Sequence, residues 1–433
     1  MSGMVSRWND LVREERVHRT LYTDPAIFAE EMVKIFGGTW VYLGHESEVP
    51  KPNDFVLRNL GLRPIILARD GSGKLNALLN RCSHRAATVC RQTAGSARYF
   101  TCPYHGWTYS VGGECVSIPG GNAYGPGFSA SKFSLAKVPR LETYRGLIFG
   151  TLNLAAPGLT DHLGAARALI DQWLDRYPGA DVVVRNQAHR MVMRANWKLV
   201  YDNAGDGYHP PFSHRSLLLM TARQHGPDLD MSYFGTDPDD TRMYSQSLGN
   251  GHTFFDQRPE MHAESAWRRQ RPQPGRESYE AQLRARLGDE EADRLLEVAV
   301  GSGMNLNIFP NLLIIGNQIQ VVEPLAVDRV QLTWYATALS GVPDEINVLR
   351  MRTQEDFPNF GEVDDGTNFE ACQQGLSIPE LEWIDISRHL HSGQETVDGR
   401  GVITGPASDD VHFRGYYKEW KRLMSAEMSL TVA

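Results

Sequence analysis

Two short pairs, Cys82-x-His84 and Cys102-x-x-His105, stand seventeen residues apart, and each offers one thiolate and one imidazole. Zinc fingers commonly spend their cysteines in one pair and their histidines in the other, although four such side chains in any order can hold a structural zinc ion. Alternation suits a [2Fe–2S] cluster better, because one iron keeps two thiolates while the other takes two neutral histidines. That mixture sets the reduction potential at roughly −150 to +300 mV, against about −400 mV for an all-cysteine plant-type cluster, so the centre can accept an electron from a ferredoxin. Pro103 stiffens the second loop, Gly106 lets backbone approach closely, and Trp107 is placed to shield the sulfurs. Cys90 and Cys115 fall outside the pattern and read as buried small residues.

A second group of chemically capable residues follows in the segment from Asn196 through Asp202, Asn203, Asp206 and His209 to His214. It opens on a capping residue and continues at helical spacing, which predicts Asp206 and His209 on one helix face. Pro210-Pro211 should break that helix and let the chain swing His214 back toward His209. Two histidines and one carboxylate make the facial triad of a mononuclear non-haem Fe(II) site, which leaves positions open for dioxygen. Asp202 and Asp206 are the local carboxylates; a more distant run holds Asp364 and Asp365. Gly205 and Gly207 each cost about 1 kcal/mol in a helix and favour a distorted turn.

The stretches CSHRAATVC and CPYHGWTYS resemble the Rieske segment of ring-hydroxylating oxygenase large subunits. With the histidine segment and the run Phe360-Gly-Glu-Val-Asp364-Asp365-Gly-Thr-Asn368-Phe-Glu, the similarity covers nearly the whole chain. It implies a Rieske [2Fe–2S] cluster on Cys82, His84, Cys102 and His105, and Fe(II) on His209, His214 and, matched residue by residue, Asp365. The family also has an aspartate three residues before the first histidine, here Asp206, that bonds this ligand and the cluster histidine of a neighbouring subunit. The family's Glu-Asn pair upstream is Asp202-Asn203 here, so Asn203 joins Asp206 as a catalytic candidate.

The implied fold is α+β: an antiparallel β Rieske domain plus a catalytic domain of antiparallel sheet flanked by helices. A trimer is implied too, α3 or, with a small β subunit, α3β3. NADH would act indirectly through a flavoprotein reductase, with or without a ferredoxin, and dioxygen would dihydroxylate or hydroxylate a small aromatic substrate. Cys90 and the phrase Asp-Asn-Ala-Gly-Asp-Gly-Tyr-His look most similar to subunits acting on benzoate-like and other aromatic acids. A Rieske monooxygenase or demethylase of quaternary amines is the alternative. A pure electron carrier would not need His209, His214 and Asp365.

These centres need elements to hold them, and 433 residues with 41% hydrophobic and 22% charged composition suffice for two or three domains. A net charge of −8 argues against a nucleic-acid partner, while a local basic face for an acidic electron donor stays open. Five cysteines make no disulfide framework, the charged N-terminus has no signal-peptide core, and no apolar run spans a bilayer, so a cytoplasmic protein is expected. We expect a helical segment over 1–37, with its helix at 24–36 stopped by Gly37-Gly38, a cluster domain over 38–155 and a catalytic domain over 156–433.

Strands are expected at 55–60, 64–69 and 75–79, and again at 312–322 and 329–338. Helices are expected from Thr160 as a cap and over 278–300. The strand at 314–322 should line the cavity, offering Asn317, Gln318 and Gln320 but no arginine for a carboxylate. Arg268, Arg269, Arg271 and Arg276 read as a solvated basic loop, and the remaining histidines as structural.

Overall fold

A computed structural model describes residues 2–125, 127–177, 179–225, 243–258, 267, 275–300, 303–356 and 361–432. Two compact units result: Glu30–His162 with Ala426–Ala433, and Met1–Ala29 with Leu163–Ser425. The tail joins the smaller unit because Gly37 and Gly38 leave room for it. A Cβ on Gly37 would stand 2.7 Å from the Leu430 side chain, and one on Gly38 would meet the Met428 sulfur.

The smaller unit holds three antiparallel sheets, among them Leu75–Leu79, Arg63–Arg69, Asp54–Leu60 and Ala94–Ser96 in that order, and Tyr99–Thr101, Thr108–Ser110 and Cys115–Ser117. Asn80 fixes the first cluster loop: its Oδ1 accepts from the amides of Val89 and Cys90 at 2.9 Å each, and its Nδ2 donates to Cys90 O at 2.7 Å. The two cluster loops fold alike. Cys82 N donates to Ala87 O and Ala86 N to Cys82 O, as Cys102 N does to Trp107 O and Gly106 N to Cys102 O. Ala86 (φ 61°) and Gly106 (φ 73°) take the same left-handed turn, which Ala adopts only at a cost.

In the larger unit a nine-stranded sheet is built from β1 (Val182–Met193), β2 (Tyr244–Gly249), β3 (His252–Asp256), β4 (Met304–Ile308), β5 (Leu312–Ile315), β6 (Gln318–Ala326), β7 (Arg329–Leu339), β8 (Thr396–Val397) and β9 (Ile403–Pro406). Its order is β1-β7-β6-β5-β4-β3-β2-β9-β8, and every described pairing is antiparallel. Cross-strand register places Phe255, Asn305, Ile315, Gln318 and Ala336 in one row on one face, with Gln320, Trp334 and His189 in the next. Five helices carry or support the chemically capable residues of this unit: α1 (Trp197–Ala204), α2 (Pro210–Ser213), α3 (Asp344–Asp356), α4 (Glu362–Leu376) and α5 (Val411–Ser425). The helix α4 rests on that sheet face, a Cβ on Gly366 meeting the Met193 sulfur at 3.1 Å.

Several expected elements are interrupted by left-handed glycines. Gly164 (φ 48°) splits the helix expected after Thr160 into Leu159–Leu163 and Ala166–Leu174, with Thr160 inside the first rather than capping it. Gly288 (φ 82°) divides 278–300 into Arg276–Leu287 and Asp289–Leu295, and Gly316 (φ 59°) turns the single strand expected at 312–322 into the hairpin β5–β6. Arg268, Arg269 and Arg271 lie outside the described residues; Arg276 stacks over Trp267 at 3.8 Å and pairs with Glu280 at 2.7 Å. Among the described residues no helix is long and apolar enough to cross a membrane.

Asn196 caps α1 as expected, accepting from Lys198 N at 3.1 Å, and its buried Nδ2 also donates to Val327 O at 2.6 Å and Tyr22 O at 3.2 Å. Asn196→Ala removes the cap and both Nδ2 bonds, although Gln373 Nε2 still donates to Tyr22 O at 3.2 Å, so a loss of about 2 kcal/mol is expected in urea unfolding followed by circular dichroism.

Candidate metal centres

The alternating pairs meet in the smaller unit. The His84 and His105 rings lie 4.5 Å apart, and the Nδ1 of each is buried with no hydrogen-bond partner, as a nitrogen facing a metal would be. Burial alone would push the Cys82 thiol up. Hydrogen bonds from the Tyr109 hydroxyl, the His84 amide, the Cys102 thiol and the Arg85 amide outweigh it and hold the thiol below its ordinary value. Cys90 and Cys115 are buried, and burial raises both thiols. The donor set, two thiols and two imidazoles with buried, unsatisfied Nδ1 atoms, fits a mixed-ligand [2Fe–2S] cluster. Trp107 stacks flat on His84, at 4.9 Å and 3°, so it backs an imidazole where the sequence suggested a sulfur shield. Tyr104 stands 59% exposed beside His105, which marks this edge as the outward one.

In the larger unit the α1 helix ends at Ala204, before Asp206. The expectation of a shared helix face for Asp206 and His209 is therefore corrected: a turn brings them together, with Tyr208 N donating to Asp206 Oδ1 at 2.6 Å. Asp206 Oδ2 lies 3.2 Å from His209 Nδ1. The turn needs glycine, because a Cβ on Gly207 would stand 2.5 Å from Ala407 O. Pro210-Pro211 break nothing further. They occupy the first positions of α2, with His209 as its N-cap and His214 as its C-cap, so one helical turn returns the second histidine.

Asp365, on α4, faces both rings: its Oδ1 lies 3.6 Å from His209 Nε2 and 3.3 Å from His214 Nε2. One ligand atom from each of these three residues falls within 4.8 Å of the others. Asp365 Oδ1 is buried with no hydrogen-bond partner, and burial pushes the carboxyl up against the pull of His209, His214 and the Asn203 amide. Such an oxygen fits a cation. Asp364 approaches the other nitrogen of His214, Nδ1, at 3.5 Å and is the more exposed of the two. Asp202, a local candidate, points elsewhere: its oxygens accept from Tyr22 at 2.8 Å and from Tyr416, and burial raises it to about 7. Burial opposes ionisation of Asp206 too, but the His209 hydrogen bond holds it below the usual range.

Comparison with known proteins joins the two centres. Residues 39–142 match the Rieske [2Fe-2S] domain family, and residues 180–426 match the family described as ring hydroxylating alpha subunit (catalytic domain). The chain belongs to the ring-hydroxylating alpha-subunit family. It is 35% identical over 395 residues to the 2-halobenzoate 1,2-dioxygenase large subunit of Burkholderia cepacia, covering 88% of this chain and 82% of that protein. Toluate 1,2-dioxygenase subunit alpha of Pseudomonas putida is 32% identical, with 94% and 91% covered. The crystal structure of naphthalene 1,2-dioxygenase from Rhodococcus sp. bound to indole superposes with a TM-score of 0.76 at 26% identity, over 98% of each chain. Quaternary ammonium Rieske monooxygenases are more distant, at a TM-score of 0.64 and 16% identity, and share the fold. This alpha subunit is thus an oxidoreductase that incorporates dioxygen, and its cofactors are a Rieske [2Fe–2S] cluster and a mononuclear non-haem iron.

Sequence reasoning passed over Tyr109, two residues after Trp107, whose hydroxyl lies 3.1 Å from Cys82 Sγ and accepts from Ser83 N at 3.2 Å. A hydrogen bond to a ligand sulfur stabilises the reduced, more negative cluster. In this alpha subunit Tyr109→Phe is expected to lower the cluster potential by roughly 40–65 mV, the equivalent of about 1–1.5 kcal/mol, in a redox titration followed by absorbance.

Proposed function

We propose that this chain is the terminal-oxygenase subunit that uses NADH-derived electrons and dioxygen to dihydroxylate or hydroxylate the ring of an aromatic carboxylic acid. The observation that carries the reading is the buried, hydrogen-bond-free Asp365 Oδ1 facing two imidazole Nε2 atoms, in a chain whose other unit brings two thiols and two imidazoles together. Relatives named for halobenzoate and toluate support the acid class.

In this reading Cys82, His84, Cys102 and His105 hold the cluster, and His209, His214 and Asp365 hold the iron. The bound metals supply single electrons and a centre with open positions for dioxygen. Asp206 fixes the His209 tautomer by taking its Nδ1–H, which leaves Nε2 free to face inward. The same carboxylate forms the electron-transfer bridge to the cluster histidine of a neighbouring subunit in a trimer, α3 or α3β3 with a small β subunit. Asn203 orients Asp365 through the amide contact to its carboxylate. By function the chain divides into a helical segment over 1–37, a cluster domain over 38–155 and a catalytic domain over 156–433, of which 30–37, 156–162 and 426–433 belong to the smaller compact unit. A flavoprotein reductase, with or without a ferredoxin, supplies the electrons in the cytoplasm.

Asp365→Ala is expected to lose the mononuclear iron and keep the cluster, whereas Asp364→Ala keeps both in metal analysis. Asp206→Asn should retain both metals while coupled turnover falls roughly 100-fold or more; wild-type turnover in that variant would remove the bridge.

The reading is tested by a single turnover of reduced, iron-loaded protein with aromatic acids, neutral arenes and quaternary amines under isotopically labelled dioxygen, followed by mass spectrometry. Two labelled atoms in an aromatic acid support dihydroxylation, and one supports hydroxylation. A demethylated amine, or product from neutral arenes alone, would sink the acid reading.

A further inference from the structure

Four buried phenols and two buried indoles stand in series in the larger unit, and one carboxylate accepts from two of the phenols. Tyr22 donates to Asp202 Oδ2 at 2.8 Å, Tyr416 donates to Asp202 Oδ1, and the Tyr417 hydroxyl donates to that of Tyr22. The rings of Tyr201 and Tyr416 lie 5.1 Å apart, those of Tyr416 and Tyr417 4.2 Å, and those of Tyr417 and Tyr22 6.5 Å. Trp420 follows one turn along α5, and its indole meets that of Trp8 at 5.3 Å. Trp8 sits on the helix Ser2–Leu11, where Arg7 covers its ring at 4.5 Å and Arg7, Asn9 and Asp10 are exposed.

The series begins among the groups that support the iron ligands. Asp202 lies one turn before Asp206, and the next residue, Asn203, is the one whose amide contacts Asp365. The start of α5 lies against the same turn: the His412 ring meets Gly205 and lies within reach of the Asp206 charge. Tyr416 follows His412 by one turn of that helix, which brings its hydroxyl to Asp202.

An anchoring role accounts for the hydrogen bonds, which tie the N-terminal segment and α5 to α1. Phenylalanine rings over an apolar residue would fill similar volume without burying a carboxylate, an exchange that is commonly neutral or stabilising. Anchoring leaves unexplained why readily oxidised rings run in series and why two of them share a base. Burial, and then the charge of Asp202, holds the Tyr416 and Tyr22 phenols well above their usual value, so both stay protonated until an electron is lost. A buried phenol that loses an electron becomes a strong acid and needs a proton acceptor already in hydrogen-bond contact. Asp202 offers one oxygen to each.

We propose that Tyr22, Tyr416, Tyr417, Trp420 and Trp8, with Asp202 as proton acceptor, form a relay that drains oxidising equivalents from the iron site when no substrate ring is there to take them. Reducing dioxygen to two waters takes four electrons; iron(II) and the cluster give one each, and a substrate ring gives the other two. Without the ring, a phenol of the relay gives one electron to the iron site, and its proton passes along the hydrogen bond to Asp202. A soluble thiol at the surface then refills the radical with one electron through Trp8 and Trp420, losing its own proton to water. Asp202 returns the phenol proton, so a second passage supplies the fourth electron, and the two thiyl radicals join as a disulfide. The relay depends on the iron and is independent of which ring is the substrate.

The test uses the full chain with an oxidised cluster and iron(II), mixed with hydrogen peroxide without substrate and freeze-quenched for electron paramagnetic resonance. Peroxide accepts two electrons, one from iron(II) and one from the relay. The parent protein should show a tyrosyl radical whose spectrum narrows when its tyrosines are ring-deuterated. In the double variant Tyr22→Phe with Tyr416→Phe the radical should fall at least about fivefold, and oxidation of His209 and His214 read by mass spectrometry should rise by as much. Trp420→Phe keeps both phenols and cuts the exit, so with added thiol its radical should decay at least about fivefold more slowly. A purely structural network would not move that lifetime, and this variant decides the matter where the double variant fails to fold. No radical in the parent, a radical undiminished in the double variant, or a thiol-dependent decay unchanged in Trp420→Phe would overturn the relay.

Discussion

A buried carboxylate oxygen with no proton to accept organises the catalytic unit. Asp365 is 2% exposed, and its Oδ1 faces two imidazole nitrogens that stand too far off to satisfy it. An uncompensated anion in that position would cost several kcal/mol, so the elements around it make sense only when a cation closes the group. Three separate stretches must converge to build it: the turn after α1, the short α2, and α4 lying on the sheet. Glycines mark the tightest approaches. Gly205 lies against the His412 ring, Gly207 against Ala407 O and Phe255, and Gly366 against the sulfurs of Met191 and Met193. None of the three leaves ordinary space for a Cβ.

How much of this was legible in the sequence depends on how local each feature is. Both cluster pairs were readable because their ligands sit within three residues of each other on loops whose hydrogen bonds close over four or five residues. Asp365 lies more than 150 residues beyond His209 in the sequence, and residue spacing gives it no advantage over Asp202 or Asp206; only resemblance to a family singled it out. The shared helix face expected for Asp206 and His209 failed because Gly205 ends the helix and the Asp206 side chain caps the following turn.

Asp202, its near neighbour Asp206 and the distant Asp365 show how environment assigns roles to a single residue type. Asp202 is raised to about 7 by burial, yet two phenol hydroxyls clamp it, so it anchors α1 against Tyr22 and Tyr416. Asp206 stays below the usual carboxylate range because it holds the His209 imidazole, which keeps it anionic and able to fix one tautomer. Asp365 is raised by burial and retains an open oxygen. A carboxylate with a phenol hydroxyl on each oxygen is held toward those phenols, one committed to an imidazole can orient that ligand, and one with an oxygen left open can bind the ion itself.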